Sequence, residues 1–211
     1  MIDLEREKRV AAEAAAELVQ DGQVVGLGTG STVAPLLPAL AARGLDIRCV
    51  ATSVATENAA RALGLRVEAF DTIACFDIAV DGTDQVTPDR WLIKGGGGAH
   101  LREKVVAAAA DRFVVIGASD KPVDVLSAPL PLELLAYGLA ATLAALGDVT
   151  LRDVPRSPDG GVIADYHGEI GDPAELAARL EAVPGVVAHG LFPPALVSDV
   201  LIARGDDVEH L

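Results

Sequence analysis

The chain has 211 residues, of which 51% are hydrophobic and 3% aromatic, and it carries a formal net charge of −14 at pH 7. That length and apolar content exclude a disordered chain and suit one full domain plus a smaller companion, packed mainly from Ala, Val, Leu and Ile. The negative charge argues against nucleic acid and acidic membrane surfaces as partners, because both are bound chiefly through Lys and Arg. An anionic small molecule would need a local pocket of backbone amides and a few lysines.

In chain order, the opening MIDLEREKRVAAEAA mixes charges into a helical pattern with no apolar core or cleavage site of an export signal, so the expected location is cytoplasmic. A helix is expected over Leu4 to Gln20, ended by Asp21-Gly22. Val24 to Leu27 reads as a buried strand, followed by the turn GTGST and a helix through Ala42 that Pro35 and Pro38 complicate. The uncharged stretch from Gly22 to Ala42 is interrupted by Gly and Pro and fails as a membrane span, which needs about 20 mainly apolar residues. Strands at Ile47 to Thr52 and Arg66 to Ala69 flank a helix over Ala55 to Leu63. Ile78 to Val80 is a strand that runs into DGTD. Trp91 to Lys94 is short and extended, GGGG breaks regularity, Ala99 to Ala110 is helical, and Phe113 to Ile116 is a strongly apolar strand.

This alternation predicts an α/β fold, a Rossmann-like mostly parallel sheet with flanking helices. After Lys121 the pattern changes. Pro-rich SAPLPLELL leads into a helix over Leu134 to Leu146, strands near Val149 to Arg152 and Val162 to Tyr166, and a helix over Pro173 to Glu181. These predict a smaller α+β domain. The expected boundaries are 1–126 and 127–197, with a C-terminal segment of about 198–211 returning to the first domain. Cys49 and Cys75 lie within or beside apolar runs and read as buried reduced thiols, not as a disulfide or a metal pair.

Three segments could carry chemistry. In GLGTGSTV a strand is followed by glycines and hydroxyls at a helix start, which presents amides to an anion such as phosphate; a tight turn with Ser/Thr capping fits equally well. It matches neither the Gly-Lys-Ser/Thr phosphate loop nor a full GxGxxG fingerprint, since Thr32 stands where the third Gly belongs. In DGTD, Gly82 permits a tight turn that could aim Asp81 and Asp84 into one cleft at a strand end, although an ordinary Asx turn uses the same residues. In IKGGGGAHLREKVV, four consecutive glycines carry an entropic cost that a plain connection has no reason to incur, and close approach of a ligand to backbone would explain them. Lys94 enters that loop as a cation and Glu103 lies in the first turns of the next helix, facing the loop. A flexible linker and a surface charge ladder are the competing readings.

Taken together, VGLGTGSTV, FDIAVDGTDQV, LIKGGGGAHLREKVVA and DRFVVIGASDKPV resemble, in order and spacing, the type A ribose-5-phosphate isomerases, with weaker echoes in LPLELL, VIADYHGEI and PGVVAHGLF. Against that pattern Thr83 replaces Ala, Gln85 replaces Glu, His100 replaces an apolar residue, and SPDGGVIAD stands for a TDNGN-like loop. The resemblance implies interconversion of ribose 5-phosphate and ribulose 5-phosphate through an enediolate, with no metal and no cofactor. It implies Glu103 as the base, Lys94 and the amides of Gly95, Gly96 and Gly97 as donors to developing charge, and the Asp81-Gly82-Thr83-Asp84 turn around the sugar. Phosphate would fall to Thr29, Gly30, Ser31 and Thr32 with Lys121 and Lys8. It also implies a homodimer or homotetramer. A non-catalytic sugar-phosphate sensor on the same fold and a nucleotide-dependent oxidoreductase are the alternatives; the presence of Lys94 and Glu103 disfavours the first, the incomplete fingerprint the second.

Overall fold

Short apolar runs separated by amphipathic helices form the frame of the computed structural model, which describes residues 3–71 and 73–211. The expected first domain and the opening peptide include Met1, Ile2 and Thr72, which lie outside those residues. In chain order the elements are α1 (Leu4–Ala16), β1 (Val24–Leu27), α2 (Leu36–Arg43), β2 (Arg48–Ala51), α3 (Val54–Ala62), β3 (Arg66–Val67) and β4 (Ile78–Gly82). Then come β5 (Gln85–Val86), β6 (Leu92–Ile93), α4 (His100–Ala108), β7 (Phe113–Ala118), β8 (Leu130–Leu134), α5 (Leu139–Leu146), β9 (Val149–Leu151) and β10 (Val162–Tyr166). The chain closes with α6 (Pro173–Glu181), β11 (Val186–His189), β12 (Leu191–Phe192), β13 (Asp199–Arg204) and β14 (Asp207–His210).

The chain divides into two compact units. The first is Met1–Thr83, Arg102–Pro122 and Ala195–Leu211; the second is Asp84–Leu101 and Val123–Pro194. Residues 84–101, which the sequence pattern leaves with the first half, cluster with the second unit.

In the first unit a seven-stranded sheet runs β14-β13-β7-β4-β1-β2-β3, and only the β13–β14 pair is antiparallel. Strand order leaves β1 toward β2 and β3 on one side and toward β4 and β7 on the other, so the fold reverses direction between β1 and β4. Crevices at the C-terminal ends of strands beside such a reversal are the ligand sites of open parallel sheets. Leu27, Leu36, Leu40, Ile78, Val80 and Ile116 fill the core, and burying a side chain of this size contributes about 1.5–3 kcal/mol.

Helix α1 meets this core with Ala11, Ala12, Ala15 and Ala16, a face small enough to sit close. It stops four residues before the expected Gln20 because Leu18 and Val19 donate to Ala15 and Ala16 in tight turns, while Arg43 from α2 donates to the carbonyls of Ala16 and Val19, capping the end. Pro38 is tolerated as the third residue of α2, where no intrahelical donor is required.

In the second unit a four-stranded antiparallel-paired sheet, β11-β8-β10-β9, packs Leu130, Leu132 and Leu134 with Leu176 and Leu180 of α6; a three-stranded sheet, β12-β6-β5, stands beside it in the same unit. The Pro-rich LPLEL is therefore a strand, and helix α5 begins only at Leu139, not at the expected Leu134. Pro131 accepts from the Gly190 amide through its carbonyl at 2.8 Å, so its missing donor faces the same edge, beyond the last β11 pair, and takes nothing from the β10 ladder. Cys49 is buried, and burial pushes its thiol up to about 12; Cys75 is exposed, contrary to expectation, because it precedes the bridge at Phe76 and not the interior of β4.

Helix α1 also inserts a carboxylate into the first unit. Glu7, 5% exposed, accepts from the Ser119 amide at 2.9 Å, the Ser119 hydroxyl at 2.6 Å and the Gly205 amide at 2.9 Å. The Ser119 hydroxyl first, then the two amides and nearby Arg204, hold its pKa below the ordinary 4.5. A depressed carboxylate stabilises the fold fully above its unfolded value and loses that contribution as pH falls through the folded one. Glu7→Gln should therefore lower unfolding free energy by about 2 kcal/mol at neutral pH, and urea titrations should show the gap to wild type narrowing below pH 4.5. A gap that stays constant down to about pH 3 would refute the ionised anchor.

Candidate active site

The C-terminal ends of β1, β4 and β7 are neighbours in the first sheet, and the residues singled out around GTGST, DGTD and Ser-Asp-Lys sit on those ends. Asp81 is the last residue but one of β4 and is 3% exposed. Its Oδ1 accepts from the amides of Thr29, at 3.1 Å, and Gly82, at 2.8 Å. A Cβ on Gly28 would lie 2.0 Å from that oxygen, so the glycine exists to admit the carboxylate between the two strand ends.

Beyond Gly28 the chain does not enter a helix at once. Gly30 takes φ +112, its carbonyl accepts from Val33 and Ala34, and α2 starts only at Leu36. Among the described residues, no hydrogen bond engages the amides of Gly30, Ser31 or Thr32. Three consecutive donors left open at a turn form a concave anion seat. Thr29 differs: its amide serves Asp81 and its hydroxyl meets Thr52 at 2.8 Å and Thr56 at 3.1 Å, so it shapes the loop from behind. Thr32 lies against Gly82, where an added Cβ would stand 3.4 Å from its own.

Lys121 follows β7, packs its stem over Gly117 and holds its ammonium 3.1 Å from Asp120. Ser119, which Glu7 grips, begins that turn. Lys8, the other cation of the expected set, lies on α1 with its ammonium paired at 2.6 Å to Glu5 of the same helix.

Glu103 stands in the first turn of α4 and is 6% exposed. Val106, three residues on and hence on the same face, packs over β1, for a Cβ on Gly26 would meet it at 2.6 Å. The far end of α4 reaches the N-terminal edge of β4, where the Phe76 amide donates to Ala109. The helix thus runs from the C-terminal edge of the sheet to the N-terminal edge, and Glu103 lies one turn from Val106 toward the strand ends that carry Asp81 and the amide seat.

The second unit holds Asp84, Lys94 and the glycines. Asp84 accepts from the Gly96 amide at 2.7 Å, and a Cβ on Gly96 would stand 2.8 Å from that carboxylate. Gly95 takes φ +102 and lies against the ring of His100, which would be 2.6 Å from an added Cβ; His100 is fully buried, so it serves packing of the loop. Gly97 is exposed and meets nothing within 4 Å. Lys94 is 2% exposed, with its ammonium 5.5 Å above the Phe192 ring, a placement that keeps a cation favourable away from water. Its carbonyl approaches Gly190 so closely that a Cβ there would stand 2.2 Å away.

Several supporting residues were invisible in sequence. Arg152, just after β9, donates to the carbonyls of Gly95 and Gly96 and to the Asp165 carboxylate. Gln85 exchanges bonds with Ser127, donating to its carbonyl at 2.8 Å and accepting from its amide at 2.9 Å, a reciprocal pair that a glutamate could not make. In the altered 157–165 loop, Ser157 donates to buried Glu133. Each joins partners distant in the chain, and only a glycine conspicuously free of a side chain, such as Gly190, left a local sign.

Residues 48–207 match the family model of Ribose 5-phosphate isomerase A (phosphoriboisomerase A). Ribose-5-phosphate isomerase A of Caulobacter sp. strain K31 is 48% identical over 88% of this chain and 89% of its own length. The protein of the same name from Caulobacter vibrioides strain NA1000 is 47% identical over 97% of each chain. Among solved structures, ribose 5 phosphate isomerase A from Neisseria gonorrhoeae superposes with a TM-score of 0.94 at 31% identity, covering 100% of this chain and 98% of that one. A D-ribose-5-phosphate isomerase in complex with phospho-erythronic acid superposes at 0.93 with 32% identity, covering 100% and 99%. With a matching fold, an amide seat beside a buried Asp, and close to half its residues shared with such relatives, the chain belongs to the ribose 5-phosphate isomerase A family.

Proposed function

We infer that this chain is an aldose-ketose isomerase that interconverts D-ribose 5-phosphate and D-ribulose 5-phosphate. The observation that carries the sugar-phosphate reading is the run of three open amides at Gly30, Ser31 and Thr32 on the same sheet edge as Asp81 and Lys121. An ester phosphate accepts from all three amides at once, and Lys121 offsets part of its charge.

Isomerisation moves one proton between C1 and C2 and one between the attached oxygens. Glu103 takes the carbon-bound proton and returns it to the neighbouring carbon, a task for which a carboxylate largely shielded from water is suited. The electrons left behind collect on oxygen as an enediolate. Lys94 and the amides of Gly95 and Gly97 meet that charge, those of Gly96 and Gly98 being already given to Asp84 and to the Gly95 carbonyl, and one well-placed donor lowers a barrier by roughly 3 kcal/mol. Asp81 and Asp84 hold sugar hydroxyls, and Asp81 serves ring opening or transfer between the oxygens. The chemistry is assigned to side chains and backbone alone, and the expected setting is the cytoplasm.

We also propose a homodimer or homotetramer. In the second unit α5 reads LAATLAAL with Thr142 its one buried residue, and Leu135, Tyr137, Leu151, Val154 and Val187 stand exposed, Tyr137 at 88%. Covering such surface is a common driver of homo-oligomers. Light scattering should give at least twice the 21.6 kDa of one chain; a monomer at micromolar concentration would refute it.

Glu103→Gln should lower kcat by about a thousandfold while KM stays within about threefold, measured by ribulose 5-phosphate formation without added metal or nucleotide. Near-normal turnover would remove the assigned base. Lys121→Ala should instead raise KM and weaken inhibition by inorganic phosphate by about tenfold, leaving kcat almost unchanged. A wild-type chain that binds pentose phosphate but never isomerises it would be a sensor and not an enzyme.

A further inference from the structure

Arg152 is a heavily engaged cation of the second unit, and the assigned chemistry gives it no task. Its Nε and Nη2 form a fork on Asp165 of β10, at 2.8 and 2.7 Å, and both side chains are under a fifth exposed. The same guanidinium places Nη1 3.0 Å from the Gly95 carbonyl and 2.8 Å from the Gly96 carbonyl. Its own amide donates to Ile163, tying the residue to the sheet.

Both carbonyls of the loop therefore point at one nitrogen. In a trans peptide the C=O and N–H directions are opposed, so each captured carbonyl turns the next amide away from Arg152. The Gly95–Gly96 peptide bears this out, since the Gly96 amide points to Asp84 at 2.7 Å. By the same geometry the Gly96–Gly97 peptide directs the Gly97 amide to the side away from the guanidinium. Glycine peptides otherwise rotate with little restraint, so without a fixed acceptor-holding group these amides would sample many directions.

We propose that Arg152, braced by Asp165, is a positioning residue that holds the Gly97 amide in the orientation in which it serves substrate oxygen, while the Gly96 amide stays on Asp84. This rests on the reading above that the glycine loop meets the charge developing on substrate. The electrostatics agree. The hydrogen bond from Arg152, above all, keeps the Asp165 carboxyl below its ordinary range, and Asp165, then Asp84, keep the guanidinium charged. His167 and His100 also bear on Asp165. A lysine could supply the charge but not the fork that reaches a carboxylate and two carbonyls together.

The test is isomerase kinetics on Arg152→Ala, with and without guanidinium chloride at tens of millimolar and with urea as the neutral control. We expect kcat to fall about 10- to 100-fold, KM to change less than about threefold, and guanidinium but not urea to recover a substantial part of the loss. A strut needed only for folding would lower the melting temperature without such rescue. Arg152→Lys should be similarly slow and stands in if the alanine variant does not fold. A kcat within twofold of wild type in the folded variants, or a loss that guanidinium leaves unchanged, would overturn the proposal. The underlying reading is checked on the wild type alone, where ribose 5-phosphate should shift the proton and nitrogen resonances of the Gly97 amide. Unmoved resonances would sink that reading whatever Arg152 does, whereas moving resonances beside a fully active Arg152→Ala would sink the clamp alone.

Discussion

The Asp81 carboxylate occupies the space that a side chain at residue 28 would fill, and there it accepts from amides at two strand ends, Thr29 two residues beyond β1 and Gly82 as the last residue of β4. Those strands flank the point at which the parallel sheet reverses its order. A buried charge of this kind is stable only while its donors are in place, so it fixes the separation and direction of both loops at once. The open amides of Gly30 to Thr32 follow from that arrangement, since the chain must leave β1 under Asp81 and turn before α2 can begin. The position of α4 depends on it less directly, through the bare backbone at Gly26 over which Val106 packs.

A chain with a net charge of −14 that handles a phosphate ester must solve a local problem against its own field. In the proposed site it would do so with fixed dipoles more than with cations. The amides of the β1 loop carry no counter-charge and stay oriented by the sheet, while Lys121 and Lys94 are placed singly, one beside Asp120 and one above Phe192. Within each unit, carboxylates are tied up by local donors: Glu7 by Ser119 and Gly205 in the first, Asp165 by Arg152 and Asp84 by the Gly96 amide in the second. The acidic surface beyond is screened within about 10 Å at ordinary ionic strength.

Much of the frame was readable before the fold was seen. β1, β10 and α6 fall at the residues that periodicity and punctuation mark, because each is a short apolar run or an amphipathic stretch with its own cap, Asp172 in the case of α6. Reading failed where a distant partner altered a local preference. Pro-rich LPLEL read as a lead into a helix from Leu134, yet the segment is a strand in which Pro131 sits beyond the last β11 pair and still accepts from the Gly190 amide. Helix α1 ended early because Arg43 from another helix took its last carbonyls. Cys75 looked buried beside apolar neighbours and is not.

For the proposed function, the sequence by itself marked the candidate groups that lie close along the chain: glycines where backbone approaches a carboxylate or turns left-handed, Asp81 and Asp84 around a tight turn, Lys94 ahead of a glycine loop, and Glu103 at a helix start. These are legible because covalent spacing alone brings them near one another or demands a missing side chain. Only the tertiary structure decided how that loop is held. Arg152 lies far along the chain from Gly95 and Gly96, and nothing in its own neighbourhood distinguishes it from a surface arginine; the hydrogen-bond directions that give it meaning exist only once β9 and β10 have paired and the loop has folded against them. The same holds for Glu7, whose burial, charge and grip on Ser119 arise from strands that the chain reaches much later. The four glycines seen first are thus separated into distinct duties: Gly95 and Gly98 turn the chain, Gly96 makes room for Asp84, and Gly97 leaves its amide open to the side that Arg152 does not occupy.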